Sequence, residues 1–319
     1  MPIAAFGAIH LDTIAHADRR ILRETSTPAA LAVRPGGVAT NVARALARLD
    51  CRIALAGRLG REAEADGLLV QLTTEGVDTA AIRRSDLPSG RYLALHDPDG
   101  TLAAAVVDAR ITETLEPGAL LPLTEAQEGA GCWFLDANLP QPLLVELAEA
   151  AGERRLTADA VSRAKAARLA PILPRLDLLF CNRAEATALL GRDTEQDEKQ
   201  REPDDSGVEA ASALVKAGVR AVVMTRGAAP VLLATHAGIE EISLTTRDGA
   251  AAPSPSIVDV TGAGDALIAG TLAGLEHGLP LAQAVAAGMR AAALTLECAG
   301  AVAEALDWPA IAPTHWKAG

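Results

Sequence analysis

Apolar residues along this chain alternate between two spacings. Short unbroken runs occur at 3–9, where the stretch ends near Gly7, and at Ile53 to Ala56, Cys132 to Leu135, Leu178 to Cys181 and Ala221 to Met224. Runs of that length without polar alternation predict strands buried on both faces. Between them the apolar residues recur at helical spacing. Val38, Val42, Ala45, Leu46 and Leu49 share one helix face, and helices are also predicted at Leu143 to Ala151, Ala184 to Leu190 and Val208 to Ala217. Repeated strand–helix alternation predicts an α/β domain with a mostly parallel sheet covered by helices on both sides. Ligands of such sheets lie beyond the carboxyl ends of the strands. Asp12, Asn138, Asn182, Arg226 and the loop 259–265 would gather there.

One region breaks the alternation. Arg91 to His96, the turn Asp97-Pro98-Asp99-Gly100 and Thr101 to Val107 predict a β-hairpin. With the segment 11–33, which shows no regular spacing, it would form a small sheet standing off the main domain. An antiparallel edge hairpin on the main sheet is the alternative. The tract 192–206 contains no apolar residue and predicts a solvated or disordered surface loop. No tandem repeat or linker divides the chain, so residues 1–319 are expected to form a single domain, with the segments 11–33 and 90–108 as its appendage.

Composition narrows the classes of function. Half of the 319 residues are hydrophobic, enough for a large core. The formal net charge of −12 argues against nucleic acid or an anionic membrane as partner, because no basic stripe is available to neutralise phosphates. Cys51, Cys132, Cys181 and Cys298 lack CxxC spacing and read as reduced thiols. The N-terminal stretch carries no basic region, and no apolar run reaches about 18 residues. A cytoplasmic location follows as the expectation. The six histidines show no metal-ligand spacing, and no chemistry is expected of them.

Candidate chemistry concentrates in Asp259-Val260-Thr261-Gly262-Ala263-Gly264-Asp265, which opens onto the apolar run Ala266-Leu267-Ile268-Ala269-Gly270. Glycines on either side of Ala263 let backbone N–H groups turn inward at a helix start, a pocket for negative charge. Asp265 in that pocket reads either as an ordinary first-turn acidic residue or as a general base beside a phosphoryl group. A second glycine-rich loop, Arg34-Pro35-Gly36-Gly37-Val38-Ala39-Thr40-Asn41, also opens onto a helix. No GxxxxGK[ST] sequence exists, and Leu267 stands where a dinucleotide-binding loop would place its third glycine.

The two glycine segments together resemble the signatures of the ribokinase, or PfkB, family of carbohydrate and nucleoside kinases. That resemblance implies a ribokinase-like three-layer α/β/α fold with a small β-sheet lid, which often makes a homodimer contact. It implies ATP as phosphoryl donor, Asp265 as general base and the backbone of Gly262, Ala263 and Gly264 as anion hole. Asp12, Gly36, Gly37 and Asn41 match the positions that bind the sugar. Asn182-Arg183-Ala184-Glu185 matches the N-x-x-E motif, in which Asn182 meets phosphate and Glu185 meets Mg²⁺ through water. By itself that spacing is also a helix-capping box. Thr225, Arg226 and Gly227 match the turn against the nucleotide phosphates, with Arg226 supplying charge. Asp259 and Thr261 match positions that hold K⁺ in many relatives, with further carbonyls near Leu296 to Ala301.

Longer stretches narrow the resemblance. Ile9 to Thr13, Thr25 to Pro28, Gly90 to Ala94, Val161 to Ala166 and Leu176 to Ala186 are similar to the pseudouridine kinases of this family. The implied substrate is a C-linked nucleoside phosphorylated on its 5′-hydroxyl, with Thr13, Thr27, Asn138 and Lys165 as polar readers of the base. Ala160 stands where the resemblance leads one to expect proline before Val161 and Ser162. Other sugar, sugar-phosphate or nucleoside kinases of the family stay open, with Arg34 or Arg91 as phosphate readers. So does a ligand-binding regulator that kept the fold without turnover.

Overall fold

A computed structural model of the chain describes residues 2–191, 206–314 and 316. Its strands are β1 (Ile3–Phe6), β2 (His10–Ala17), β3 (Ala29–Gly36), β4 (Ile53–Leu59), β5 (Ile82–Arg84), β6 (Gly90–His96), β7 (Leu102–Asp108), β8 (Cys132–Asp136), β9 (Arg155–Asp159), β10 (Leu178–Asn182), β11 (Ala221–Arg226), β12 (Ala229–Thr235) and β13 (Gly238–Ile242). Nine of them form one sheet in the order β13-β12-β11-β10-β9-β8-β1-β4-β5. The strands from β11 to β5 pair in parallel, and β12 and β13 close one edge antiparallel.

Alternate residues of the central strands enter two separate cores. Ile3, Ala5, Cys132, Phe134, Leu178 and Phe180 pack into one, beneath the helices Val38–Arg48, Ala263–Glu276 and Leu281–Leu296. Ala4, Phe6, Trp133, Leu135, Leu179 and Cys181 pack into the other, beneath Gln141–Ala150, Arg183–Leu189 and Val208–Lys216. This two-sided burial explains why the strand sequences are unbroken apolar runs. Each fully buried Leu or Phe contributes roughly 1.5–3 kcal/mol, so the central strands carry much of the stability. The three-layer α/β/α architecture is as the alternation predicted. Among the described residues no helix is long and apolar enough to cross a membrane.

The expected small sheet is present and separate, in the order β3-β2-β6-β7. The segment 11–33 is not irregular, however. It supplies β2 and most of β3, which pair antiparallel, while β2 joins the β6–β7 hairpin in parallel. Ala29–Gly36 escaped notice because its exposed apolar residues show no polar alternation to mark an inner face. The edge-hairpin alternative is thereby excluded. The charged tract lies, apart from Ser206, outside the described residues.

Candidate active site

Asp265 sits in the first turn of the helix Ala263–Glu276, which the left-handed Gly262 (φ 78°) begins. The amides of Gly262, Gly264 and Asp265 find no acceptor among the described residues, so the loop presents donors to a ligand. A Cβ on Gly264 would meet nothing within 4 Å, which leaves open space beside those donors. The Asp265 carboxylate accepts from Asn41 Nδ2 at 2.8 Å. Burial pushes its pKa up to about 7 against that bond, and Asp136 and Asp12 push in the same direction. A carboxylate poised there can take a proton near neutral pH.

The second glycine loop meets the first at Asn41. Gly37 begins the helix Val38–Arg48, which carries Asn41 toward Asp265. Asp12, on β2, lies directly over Gly36, where any side chain would displace its carboxylate. Burial raises the Asp12 pKa to about 6. Asp12 Oδ1, Asn41 Oδ1, Thr27 Oγ1 and His10 Nε2 are all buried without a partner. Each such atom costs about 1–3 kcal/mol if nothing binds it. Thr27 lies at the far end of the β2–β3 pairing, beyond the Ala17–Ala29 pair, while the atoms of His10, Asp12 and Asn41 gather near Gly36 and Asp265 and mark a polar ligand site.

Asp136 organises this region and went unnoticed in the sequence. It ends β8, fully buried; Oδ2 accepts from the amides of Ala8 at 3.1 Å and Ala39 at 3.0 Å, and Oδ1 from that of Asn138 at 3.0 Å. One carboxylate thus ties together β1, the glycine-loop helix and Asn138. Asn138 in turn accepts from Lys165 Nζ at 2.7 Å, so these two expected residues are brought together. Val161, at φ 63°, is a strained conformation for a β-branched residue. Its amide donates to Asp159 Oδ2 at 2.9 Å, which holds the turn leading to Lys165 despite the missing proline.

The capping box at Asn182 is formed in full. Asn182 Oδ1 accepts from the Glu185 amide at 2.9 Å, and Glu185 Oε2 accepts from the Asn182 amide at 2.8 Å. Asn182 also stands beside Thr225 in the parallel β10–β11 register, at the carboxyl end of the sheet. Burial raises the Glu185 pKa and, with Glu185 and Asp265 nearby, raises that of Asp159 well above the ordinary range. Such crowding of carboxylates is relieved by cations. Among the described residues no group of three or more His, Cys, Asp or Glu could hold a metal unaided.

Two expected residues are turned elsewhere. The Arg226 guanidinium donates to Pro230 O and Glu241 Oε1, both at 2.8 Å, so its charge is spent on the β12–β13 hairpin rather than offered to a nucleotide. Thr13 follows Asp12 in β2 and therefore points to the other face of the small sheet, in a row with Val33, Leu93 and Val106. Asp259 is a clamp: Oδ1 accepts from the Thr261 amide at 2.9 Å and Oδ2 from the Gly300 amide at 3.0 Å. Burial opposes its ionisation, but these bonds outweigh that and lower its pKa.

Amides without acceptors at a helix start, a carboxylate with raised pKa and buried polar atoms without partners beside a separate sheet fit a small-molecule phosphotransferase. The profile of the pfkB family of carbohydrate kinases matches residues 2–308, and the chain belongs to that family. The pseudouridine kinase of Escherichia coli is 25% identical over 299 residues, covering 93% of this chain and 90% of that protein. That of Arabidopsis thaliana is 26% identical over 341 residues, covering 91% and 89%. The ribokinase of Thermotoga maritima superposes with a TM-score of 0.78 at 21% identity, covering 94% of each chain, so the fold is ribokinase-like. The protein is thus an ATP-dependent kinase of sugars or nucleosides.

Proposed function

We propose that the protein phosphorylates the 5′-hydroxyl of pseudouridine, giving pseudouridine 5′-phosphate and ADP. The observation that carries the kinase chemistry is the Asn41–Asp265 bond, which joins the two glycine loops at one carboxylate. Asp265 removes the hydroxyl proton as the oxygen attacks the γ-phosphoryl group, and the Gly262 and Gly264 amides hold the charge that develops on the phosphoryl oxygens. Asp12 and Asn41 take the sugar hydroxyls. The paired Asn138 and Lys165 read the base, and the two pseudouridine kinases among the relatives favour that acceptor.

The carboxylates of Glu185 and Asp265 acting on Asp159 fit a hard cation such as Mg²⁺, held through water by Glu185, which would neutralise phosphate charge when bound. K⁺ has less support. The Asp259 carboxylate is committed to two amides, and the Leu296 carbonyl already accepts from the amides of Val258 and Asp259. The free thiols are compatible with the cytoplasm.

The test is ADP release with Mg-ATP and, separately, pseudouridine, uridine, cytidine, adenosine, ribose or fructose phosphates. Pseudouridine should give the highest kcat/KM. A sugar phosphate in first place would replace it as acceptor, and release with none would favour a binding protein. The lid also supports a homodimer, since its outward face exposes Leu31, Val33 and Val106 in register with Leu93 and Leu95. Sedimentation should return a dimer mass for the wild type and a monomer mass for Val33→Asp. A monomeric wild type would remove the dimer.

A further inference from the structure

His10 begins β2, two residues before Asp12 and on the same face. Across the small sheet it pairs with Gly36 on one side and Gly90 on the other. The imidazole lies over Gly90, where a Cβ would run into the ring. Gly90 thus clears the space that the ring fills. Its exposure is only 6%, yet Nε2 has no partner. Asp12 leans the other way, over Gly36.

Burial and then Lys165 lower the His10 pKa to about 4, against Asp108. Lys165 is the residue bonded to Asn138. Asp12 and Asn41, in contrast, border Asp265, where the reacting hydroxyl must lie. Asn41 is thus committed to Asp265, while Lys165, whose charge reaches His10, is held on Asn138. A neutral imidazole offers one donor and one acceptor, which a lysine does not.

We propose that His10 is a specificity-determining residue, whose unpartnered ring nitrogen accepts an N–H from the base of a C-linked pyrimidine nucleoside. This rests on the proposed function and assigns the discrimination within it. A uracil attached through carbon carries two ring N–H groups. Attached through nitrogen it carries one, and a C–H stands where the second would be. Presenting that C–H to a buried acceptor leaves the acceptor unpaired, a penalty of about 10- to 100-fold in affinity.

The test compares pseudouridine, 1-methylpseudouridine, uridine and ribose on the wild type, His10→Phe and His10→Gln, by calorimetric binding and by kcat/KM. The wild type should prefer pseudouridine to 1-methylpseudouridine and uridine by about 10- to 100-fold. His10→Phe, which keeps a ring but no acceptor, should narrow that preference to within about threefold and leave ribose binding unchanged. His10→Gln should keep part of it. An unchanged preference in His10→Phe, or equal losses for ribose and pseudouridine, overturns the proposal. Should His10→Phe fail to fold, a wild type that accepts 1-methylpseudouridine as readily as pseudouridine overturns it without any variant. No pseudouridine binding or turnover in the wild type removes the proposed function and this assignment together, whereas binding without discrimination removes only this assignment.

Discussion

Asp265→Asn should lower turnover at least about a hundredfold while ADP binding and folding persist. Asparagine nearly matches the carboxylate in shape and keeps an oxygen that can accept from Asn41 Nδ2, so the two glycine loops should stay joined. What disappears is the ability to hold a proton. With the carboxyl pushed up to about 7 by burial, wild-type kcat/KM should rise with pH through that region and then level off. The residual rate of the variant should lack the inflection. Turnover within about threefold of wild type would remove Asp265 as the proposed base, and a lost inflection together with lost ADP binding would point to collapse of the cradle instead.

The same substitution should change stability in the opposite direction. The folded-state pKa of Asp265 lies above the ordinary carboxyl value of 3.8, so its contribution is fully present below 3.8 and is lost as pH rises through about 7. Above that range the ionised, buried carboxylate opposes folding. Asp265→Asn should therefore melt at a higher temperature than wild type at pH 8, and the difference should vanish near pH 4. Asp12, raised to about 6, acts in the same sense. The crowding that readies the site for proton transfer is thus maintained at a cost in stability, as functional sites often are.

How much of this was legible in the sequence depended on whether local pattern or distant pairing set the outcome. The central strands were legible because burial on both faces leaves an apolar run. The capping box Asn182-x-x-Glu185 and the glycine loops were legible because their geometry is made by neighbours in sequence. Asp136 was not, since its partners Ala8 and Ala39 lie 128 and 97 positions away. His10 was hidden for a similar reason: what sets it apart is Gly90, contributed by β6, together with an unpaired nitrogen. Thr13 and Arg226 show the converse. Each sits where a motif would place it, but strand alternation turns one away and Glu241, from another strand, captures the other.

Gly262→Ala should cut turnover by about 10²- to 10³-fold, the loss typical of a spoiled anion hole, and should also lower the melting temperature. The residue lies at φ 78°, where a Cβ costs about 1–2 kcal/mol, and that Cβ would be driven into the backbone of Ala301. Neither side can yield alone, because Asp259 bonds the Thr261 amide at 2.9 Å on one side and the Gly300 amide at 3.0 Å on the other. Relief must move the whole clamp, and with it the aim of the Gly262 and Gly264 amides. Gly264→Ala provides the contrast. Its Cβ meets no protein atom within 4 Å, so the melting temperature should hold while activity and ADP affinity fall as the methyl enters the phosphate space. Equal melting losses in the two variants would mean that Gly264 serves the fold rather than the ligand. Full turnover in Gly262→Ala would show that the phosphoryl group is held elsewhere.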